Sequence, residues 1–178
     1  IDGLTESDFI LAAKIDQARE LRKQAGEEAE AVVVARKKEL FQHLFSESKD
    51  RTTLGSISEI QSGVTLGRVL SGETISLPYL RVANVQDGFL DLTVIKNVSI
   101  RPEEKEKWQL QKGDLLLTEG GDWDKLGRGT VWEDQIEDCI HQNHIFRVRV
   151  NQSEFDPYFL SALLGSPFGK EYFQGASK

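Results

Sequence analysis

The sequence has little of what builds several common kinds of protein. It contains one cysteine, Cys139, no methionine and four prolines among 178 residues. A single cysteine excludes an internal disulfide framework and a multi-cysteine zinc site, and it is typical of a cytoplasmic protein. No run of apolar residues approaches the eighteen that a membrane span needs, and no charged-then-apolar leader opens the chain, so we expect neither a membrane span nor a signal peptide.

A basic charge balance is absent as well. The 22 Lys and Arg residues are outnumbered by 29 Asp and Glu, which gives a net charge of −7. Free-standing nucleic-acid binders usually carry a basic patch or balance. If this protein contacts DNA, a partner or a local patch must neutralise most of the phosphates. The chain starts at Ile1, without methionine, so processing or truncation stays open.

Helix-breaking residues are scarce in the first part of the chain. Residues 5–45 contain no proline and only one glycine, Gly26, and Thr5 or Ser7 can cap the start. Apolar residues recur at steps of mostly three and four, which predicts a helix with an apolar stripe, roughly 60 Å long.

Such a stripe needs a cover, because a single long helix is not stable alone. The sequence therefore predicts that residues 1–50 form a coiled-coil arm. Its partner is another arm, from a second copy or from a segment that is missing here. The residues that we expect at this helix–partner interface are Leu11, Ile15, Ala18, Ala25, Ala29 and Val32.

After residue 50 the pattern changes to short strands. The strand-like stretches are 54–63, 75–85, 89–100, 115–118, 127–133 and 144–150. Asp156-Pro157 and Ser166-Pro167 each place a capping side chain before a proline, which begins a helix. We therefore predict an α+β protein: a long N-terminal coiled-coil helix followed, over residues 51–178, by a mixed α/β domain with a twisted, mainly antiparallel sheet.

The stretch "CIHQNHIFRVRV", residues 139–150, holds two of the three histidines. On a helix their i, i+3 spacing would put both rings on one face, as in a metal site. However, the alternating Phe-Arg-Val-Arg-Val that follows predicts a strand. A strand directs His141 and His144 to opposite faces, which disfavours a shared metal ion.

Two other segments carry side chains that suit DNA contacts. The loop "TEGGDWDKLGRGT", residues 118–130, is either a long hairpin loop around a packed tryptophan or a recognition loop that presents Trp123, Lys125 and Arg128. Arg81 and Asn84 lie near a predicted strand end, and arginine and asparagine read guanine and adenine bidentately. Alternatively, Arg81 pairs with a neighbouring acid.

A catalytic role has weaker support from the residues. Carboxylates at Asp114, Glu119, Asp122 and Asp124 raise the possibility of a nuclease. That chemistry needs acids and a lysine fixed around a metal on adjacent strands, whereas "DWDK" lies in a loop. Cys139 in a strand is expected to be structural. We expect no catalytic residue, metal or cofactor in this chain.

Four stretches of the sequence resemble one protein family. "LGSISEIQSGVT", "LPYLRVANVQDGFLDL", "LQKGDLLLTEGG" with "KLGRG", and "HQNHIFRVRV" follow one another in this chain. Their order is similar to that in target-recognition domains of type I restriction-modification specificity subunits. The helix that ends in "RKKELFQHLFS" resembles the conserved spacer helix of that family.

The resemblance implies a function and a set of partners. A specificity subunit carries two recognition domains separated by long helices that pair antiparallel, and each domain reads half of a split site in double-stranded DNA. The subunit itself is not an enzyme. The methyltransferase subunits bound to it hold S-adenosylmethionine and methylate adenine, and the restriction subunit cleaves. This chain has one such domain and one such helix.

On this interpretation the DNA-facing residues follow from side-chain chemistry and loop placement. They are Thr65, Arg68, Arg81, Asn84, Trp123, Lys125, Arg128, Gln142 and Asn143. One alternative is a helical adaptor or oligomerising protein-interaction module without DNA binding. Another is a metal-dependent nuclease, which a magnesium-dependent cleavage assay would reveal.

Overall fold

The computed structural model describes residues 5–47, 51–120 and 126–176 of the chain. A long helix, α1 (Glu6–Glu47), is followed by a mixed α/β region whose described strands form two sheets. The predicted fold class, a long helix before a mixed domain with a mainly antiparallel sheet, is confirmed.

The start of α1 is fixed by a reciprocal cap. The backbone N–H of Asp8 donates to the Thr5 hydroxyl oxygen at 3.3 Å, and the Asp8 carboxylate accepts from the Thr5 backbone N–H at 2.8 Å. Two of the donors that a helix start leaves unpaired are thereby satisfied. Of the two predicted caps, Thr5 is the one that the structure uses.

The remaining elements are short. They are α2 (Leu54–Ile57), β1 (Ser58–Ser62), β2 (Ile75–Leu80), a 3₁₀ turn (Val82–Asn84), β3 (Lys96–Ile100), a second 3₁₀ turn (Pro102–Glu104), α3 (Lys105–Trp108), β4 (Leu115–Thr118), β5 (Gly129–Val131), β6 (Ile140–His141), β7 (Ile145–Val150), α4 (Pro157–Leu164) and α5 (Pro167–Ala176). The Asp156 carboxylate caps α4 by accepting from the Tyr158 backbone N–H at 2.8 Å, as its place before proline predicts.

The two sheets differ in strand direction. The larger has the order β1-β7-β4-β5 and is antiparallel throughout. The smaller has the order β3-β2-β6, with β2 antiparallel to β3 and parallel to β6. All four residues of β4 are buried, as expected for the short apolar run "LLLT" in a strand covered on both faces.

A polar layer joins the two sheets beneath α3. The imidazole of His141 lies against two backbone carbonyl oxygens, Trp108 O at 3.1 Å and Gln61 O at 3.3 Å. Gly63 passes so close to His141 that a Cβ atom there would collide with the His141 carbonyl group. On β7, Arg149 forms a bidentate ion pair with Asp114, with both N–O distances 2.7 Å.

The segment from residue 82 to 95 departs from its strand-like prediction. Regular pairing begins only at Lys96, and the 3₁₀ turn replaces the end of the first predicted strand. The reason is Asn84, whose side-chain amide donates to Asp91 O at 2.7 Å and to Val94 O at 3.1 Å. These bonds satisfy backbone acceptors without a strand ladder. Between the two predicted strands the chain turns at Asp87-Gly88, with Gly88 at φ +84°.

Two aromatic contacts attach α1 to the domain. Phe41 meets Phe159 of α4 edge to face, with ring centroids 5.9 Å apart, and Phe45 stacks on Phe168 of α5 at 4.3 Å. Phe41 is buried, whereas the preceding residues of α1 are exposed. The helix therefore docks by its C-terminal turns and projects away over most of its length. Within the described residues, no helix combines the length and the apolar character needed to cross a membrane.

Candidate nucleic-acid interface

Five short segments meet at one end of the larger sheet, and we call them the loop rim. They are 63–65, 86–88, 119–120, 128–129 and 142–144. Backbone hydrogen bonds join them in sequence: Asn143 N to Val64 O at 3.0 Å, Glu119 N to His144 O at 3.0 Å, Thr118 N to Arg128 O at 2.8 Å, and Gly88 N to Gly129 O at 2.9 Å. Residues far apart in sequence are thus held on one rim by the strand register.

Three predicted site residues on the loop rim have unused hydrogen-bonding capacity. Gln142 and Asn143 form the turn between β6 and β7 and are half-buried, and Thr65 is exposed. Within the described residues, none of these three side chains makes a hydrogen bond. Two amides and a hydroxyl are therefore available for an external ligand.

The rim also contains a pair that the sequence did not single out. His144 Nδ1 lies 2.7 Å from Glu119 Oε2, and both side chains are about half exposed, at 56% and 50%. The pair lies one position beyond the β4–β7 ladder, where Thr118 faces Ile145. Only the register of these strands brings the two residues together.

Arg128 also lies on the loop rim. The Arg128 guanidinium donates to Gln86 Oε1 at 3.4 Å, a long hydrogen bond. Trp123 and Lys125, predicted on the same loop, lie outside the described residues.

Arg68 anchors its loop by contacts inside the protein. Its guanidinium donates to both Glu104 carboxylate oxygens, at 2.7 and 3.0 Å, and lies 5.0 Å from the ring centroid of Trp108. The hydrogen bond from Arg68 lowers the pKa of Glu104 to about 2. The positive charge of Arg68 is therefore largely neutralised by Glu104 within the protein.

Arg81 and Asn84 also make hydrogen bonds inside the protein. Arg81 Nη2 donates to Val94 O at 2.9 Å, so its partner is a carbonyl oxygen rather than the neighbouring acid considered above. Asn84 is 2% exposed, and its side-chain oxygen accepts from the Arg81 backbone N–H at 2.9 Å. The Asn84 side chain is therefore not available at the rim surface, whereas Arg81 Nε is buried and has no hydrogen-bond partner within the described residues.

The two histidines of "HQNH" have separate environments, although they do not alternate on one strand as predicted: His141 ends β6, and His144 lies in the turn before β7. His141 is fully buried, whereas His144 is exposed. Burial also raises the pKa of the Cys139 thiol to about 12. Among the residues that the structure describes, no three His, Cys, Asp or Glu side chains are grouped so that they could hold a metal ion.

The predicted interface on α1 is uncovered. Leu11, Ile15 and Val32 are 58%, 44% and 62% exposed, and Ala18, Ala25 and Ala29 are exposed too. At about 100° per residue these six positions fall in an arc of about 100°. Phe41 and Phe45, which contact the domain, lie about 150° around the axis from the centre of that arc. The domain therefore cannot cover the stripe.

These features define a class of protein: a long helical arm carrying a mixed α/β domain with a polar rim of loops. No family model matches the chain. The chain is 25% identical over 153 residues to a protein of Methanocaldococcus jannaschii named "Putative type I restriction enzyme MjaX specificity subunit". The alignment covers 78% of this chain but 36% of that relative, so the chain spans little more than a third of its length. This similarity supports the family resemblance distantly.

Proposed function

We propose that this chain is a non-catalytic DNA-recognition module of a type I restriction-modification complex, and that it reads one half of a split target. The observation that carries the proposal is the loop rim, where the side chains of Thr65, Gln142 and Asn143 have no hydrogen-bond partner among the described residues. Amide side chains read adenine through its N6 and N7 atoms in the major groove. The relative's name is consistent with this role.

Because this chain is acidic, other subunits of the complex bind most of the DNA phosphates. The chain carries a net charge of −7, and the guanidinium group of Arg68 is paired with Glu104 inside the domain. Methyltransferase and restriction subunits that bind this chain supply the missing positive charge. S-adenosylmethionine binds to the methyltransferase, and this chain positions that enzyme on the target adenine.

The arm gives the module its spacing function. The stripe of Leu11, Ile15, Ala18, Ala25, Ala29 and Val32 pairs with a second arm, from the same full-length chain or from a homodimer mate. Alanines in the stripe permit close approach of the partner helix. Since α1 is roughly 60 Å long, the paired arms hold two recognition domains apart and so fix the distance between the half-sites.

The central prediction concerns the bases that are methylated. Residues 1–178 would replace one arm and recognition domain of a type I specificity subunit, which is co-expressed with its methyltransferase. Sequencing of methylated motifs is expected to show one new half-motif and one retained half-motif. Methylation that keeps both original halves would place recognition elsewhere. Assembly is checked by co-purification before motifs are compared.

A second prediction separates base contacts from phosphate contacts. Asn143→Ala is expected to relax the preference at one position of the new half-motif, with a loss of about 1–3 kcal/mol of discrimination, because a base-reading amide is removed. Arg128→Ala is expected to weaken binding to all sequences and to lower the salt slope by about one. Binding is measured by titration at several salt concentrations.

Asn97→Ala is the matched control, because Asn97 is exposed on β3, an edge strand of the smaller sheet, and belongs to none of the rim segments. Equal binding by Asn143→Ala and Asn97→Ala, at every sequence and salt concentration, would count against the rim as the DNA-facing surface.

The alternative is a helical adaptor, and the uncovered α1 stripe favours it. In that case the arm binds a protein and the domain does not read DNA. The chimera would then assemble with the methyltransferase but produce no new half-motif, whichever recognition domain it replaced.

A further inference from the structure

The Glu119–His144 pair is fixed by two contacts at once. The Glu119 backbone N–H donates to His144 O at 3.0 Å, and the side chains meet at 2.7 Å between Nδ1 and Oε2. The carboxylate therefore has a defined position on the rim. Within the described residues its other oxygen, Oε1, has no hydrogen-bond partner.

Stability does not explain this arrangement. Both side chains are half exposed, and ion pairs in that setting contribute about 0–1 kcal/mol. The contact with His144 instead fixes the position of the Glu119 carboxylate, because a glutamate side chain without a partner at the end of a strand samples several rotamers.

A carboxylate on a DNA-facing surface has few acceptable ligands. Phosphate oxygens repel it, and the acceptor atoms of guanine and thymine edges offer it nothing. The base edge that glutamate and aspartate contact in the major groove is the N4 amino group of cytosine, which donates a hydrogen bond. Adenine also exposes an amino group, but the amides of Gln142 and Asn143 suit its N6 and N7 pair better.

We propose that Glu119 is a specificity-determining residue that accepts a hydrogen bond from the N4 amino group of cytosine, and that His144 is the positioning residue that aims it. This inference rests on the proposed function, because it assumes that the rim faces DNA. It adds a named base, a named atom and two residues to that function. The neighbouring amides read an adjacent base pair.

The test compares Glu119→Gln with wild type in the 1–178 chimera described above. Wild type is expected to show a C·G pair in its new half-motif. Glu119→Gln keeps the shape of the side chain and one acceptor oxygen but removes the charge and adds an NH₂ donor, so discrimination at that position is expected to fall roughly 5-fold, the lower end of what a good base contact contributes. The readouts are the methylated motif and competition between duplexes that differ at this base pair.

His144 variants test positioning. His144→Ala is expected to weaken the same preference without affecting other positions, and His144→Gln, whose amide can still donate to Glu119, is expected to restore much of it. Glu137→Gln is the matched control, because Glu137 is an exposed carboxylate in the 132–139 segment, and this segment follows the end of β5 opposite to the rim.

The outcomes separate this inference from the proposed function. A new half-motif that Glu119→Gln leaves unchanged at every position would overturn the inference while the proposed function stood. A change confined to an A·T pair would overturn the assignment to cytosine. Absence of any new half-motif in an assembled wild-type complex would overturn both.

Discussion

Replacing Asp114 with alanine is expected to lower the free energy of unfolding of the domain by about 3 kcal/mol, the lower part of the range for breaking a buried ion pair. Asp114 is 1% exposed and accepts from Arg149 Nε and Nη2, each at 2.7 Å, and from the Gln111 backbone N–H at 2.7 Å. Without the carboxylate, the Arg149 charge is left beside Arg147, and the two guanidinium groups repel each other.

Urea unfolding measures this effect through tryptophan fluorescence. Trp108 and Trp132 are buried in the domain, so their signal follows the domain rather than α1. Asp16→Ala is the matched control, because Asp16 pairs with Arg19 on α1 with both side chains more than 70% exposed; a change within about 0.5 kcal/mol is expected. Equal stability of Asp114→Ala and wild type would show that this buried pair contributes nothing to the fold.

The two arginines of β7 show where sequence reasoning reaches its limit. The alternation Phe-Arg-Val-Arg-Val correctly predicts the strand and its two faces. It gives no sign that the arginine face is covered by the segment 107–111. Arg147 is 2% exposed and donates to Lys107 O at 3.2 Å, and it also forms an ion pair with Glu59. Because the segment 107–111 is distant in sequence from β7, its contact with the strand leaves no pattern among the residues of the strand itself.

The same limit applies to the candidate interface. Local chemistry selected Gln142, Asn143, Thr65 and Arg128, and the structure brings these four to one rim. Side-chain chemistry also led to the prediction of Asn84, but the amide of Asn84 forms its hydrogen bonds within its own loop. Whether a polar side chain keeps a free donor depends on which segments lie against it, and only the tertiary structure determines that. The use of these residues in DNA binding stays a prediction.

The structure of the arm was easier to predict from the sequence, because a helix has a single local period. The long helix and its Thr5 cap are both confirmed. Apolar residues occur on two sides of α1 rather than one: the exposed stripe, and a second side where Phe41 and Phe45 contact α4 and α5. A period of three and four residues reveals the first side, and the pair of phenylalanines at i, i+4 is the sequence signal of the second.

Lowering the pH from 6.5 to 4 is expected to reduce the stability of the domain by about 3 kcal/mol through His141 alone, since each unit of pKa shift corresponds to about 1.4 kcal/mol. Burial is the main cause that lowers the pKa of His141 from 6.5 to about 4, and the Arg147 charge acts in the same direction. The unfolded chain therefore takes up a proton near pH 6.5, whereas the folded protein does so only near pH 4. Stability is unaffected by this group above pH 6.5 and falls progressively below it.

The variant His141→Gln isolates this effect. It is expected to be less stable than wild type at pH 7.5, because the ring packs against Trp108 O and Gln61 O, but its stability is expected to be nearly flat from pH 6.5 to 4.5.

His144→Gln is the matched control and should retain the wild-type slope, since His144 is exposed. The contribution of Glu104 is lost at lower pH, between about 4.5, the ordinary pKa of a glutamate, and its folded-state pKa of about 2. The interval from pH 6.5 to 4.5 therefore reports on His141 rather than on Glu104. A wild-type slope in His141→Gln, measured by urea unfolding at half-unit intervals of pH, would show that another group carries the dependence. A flat wild-type curve would show that His141 is charged, or accessible to protons, in the folded protein.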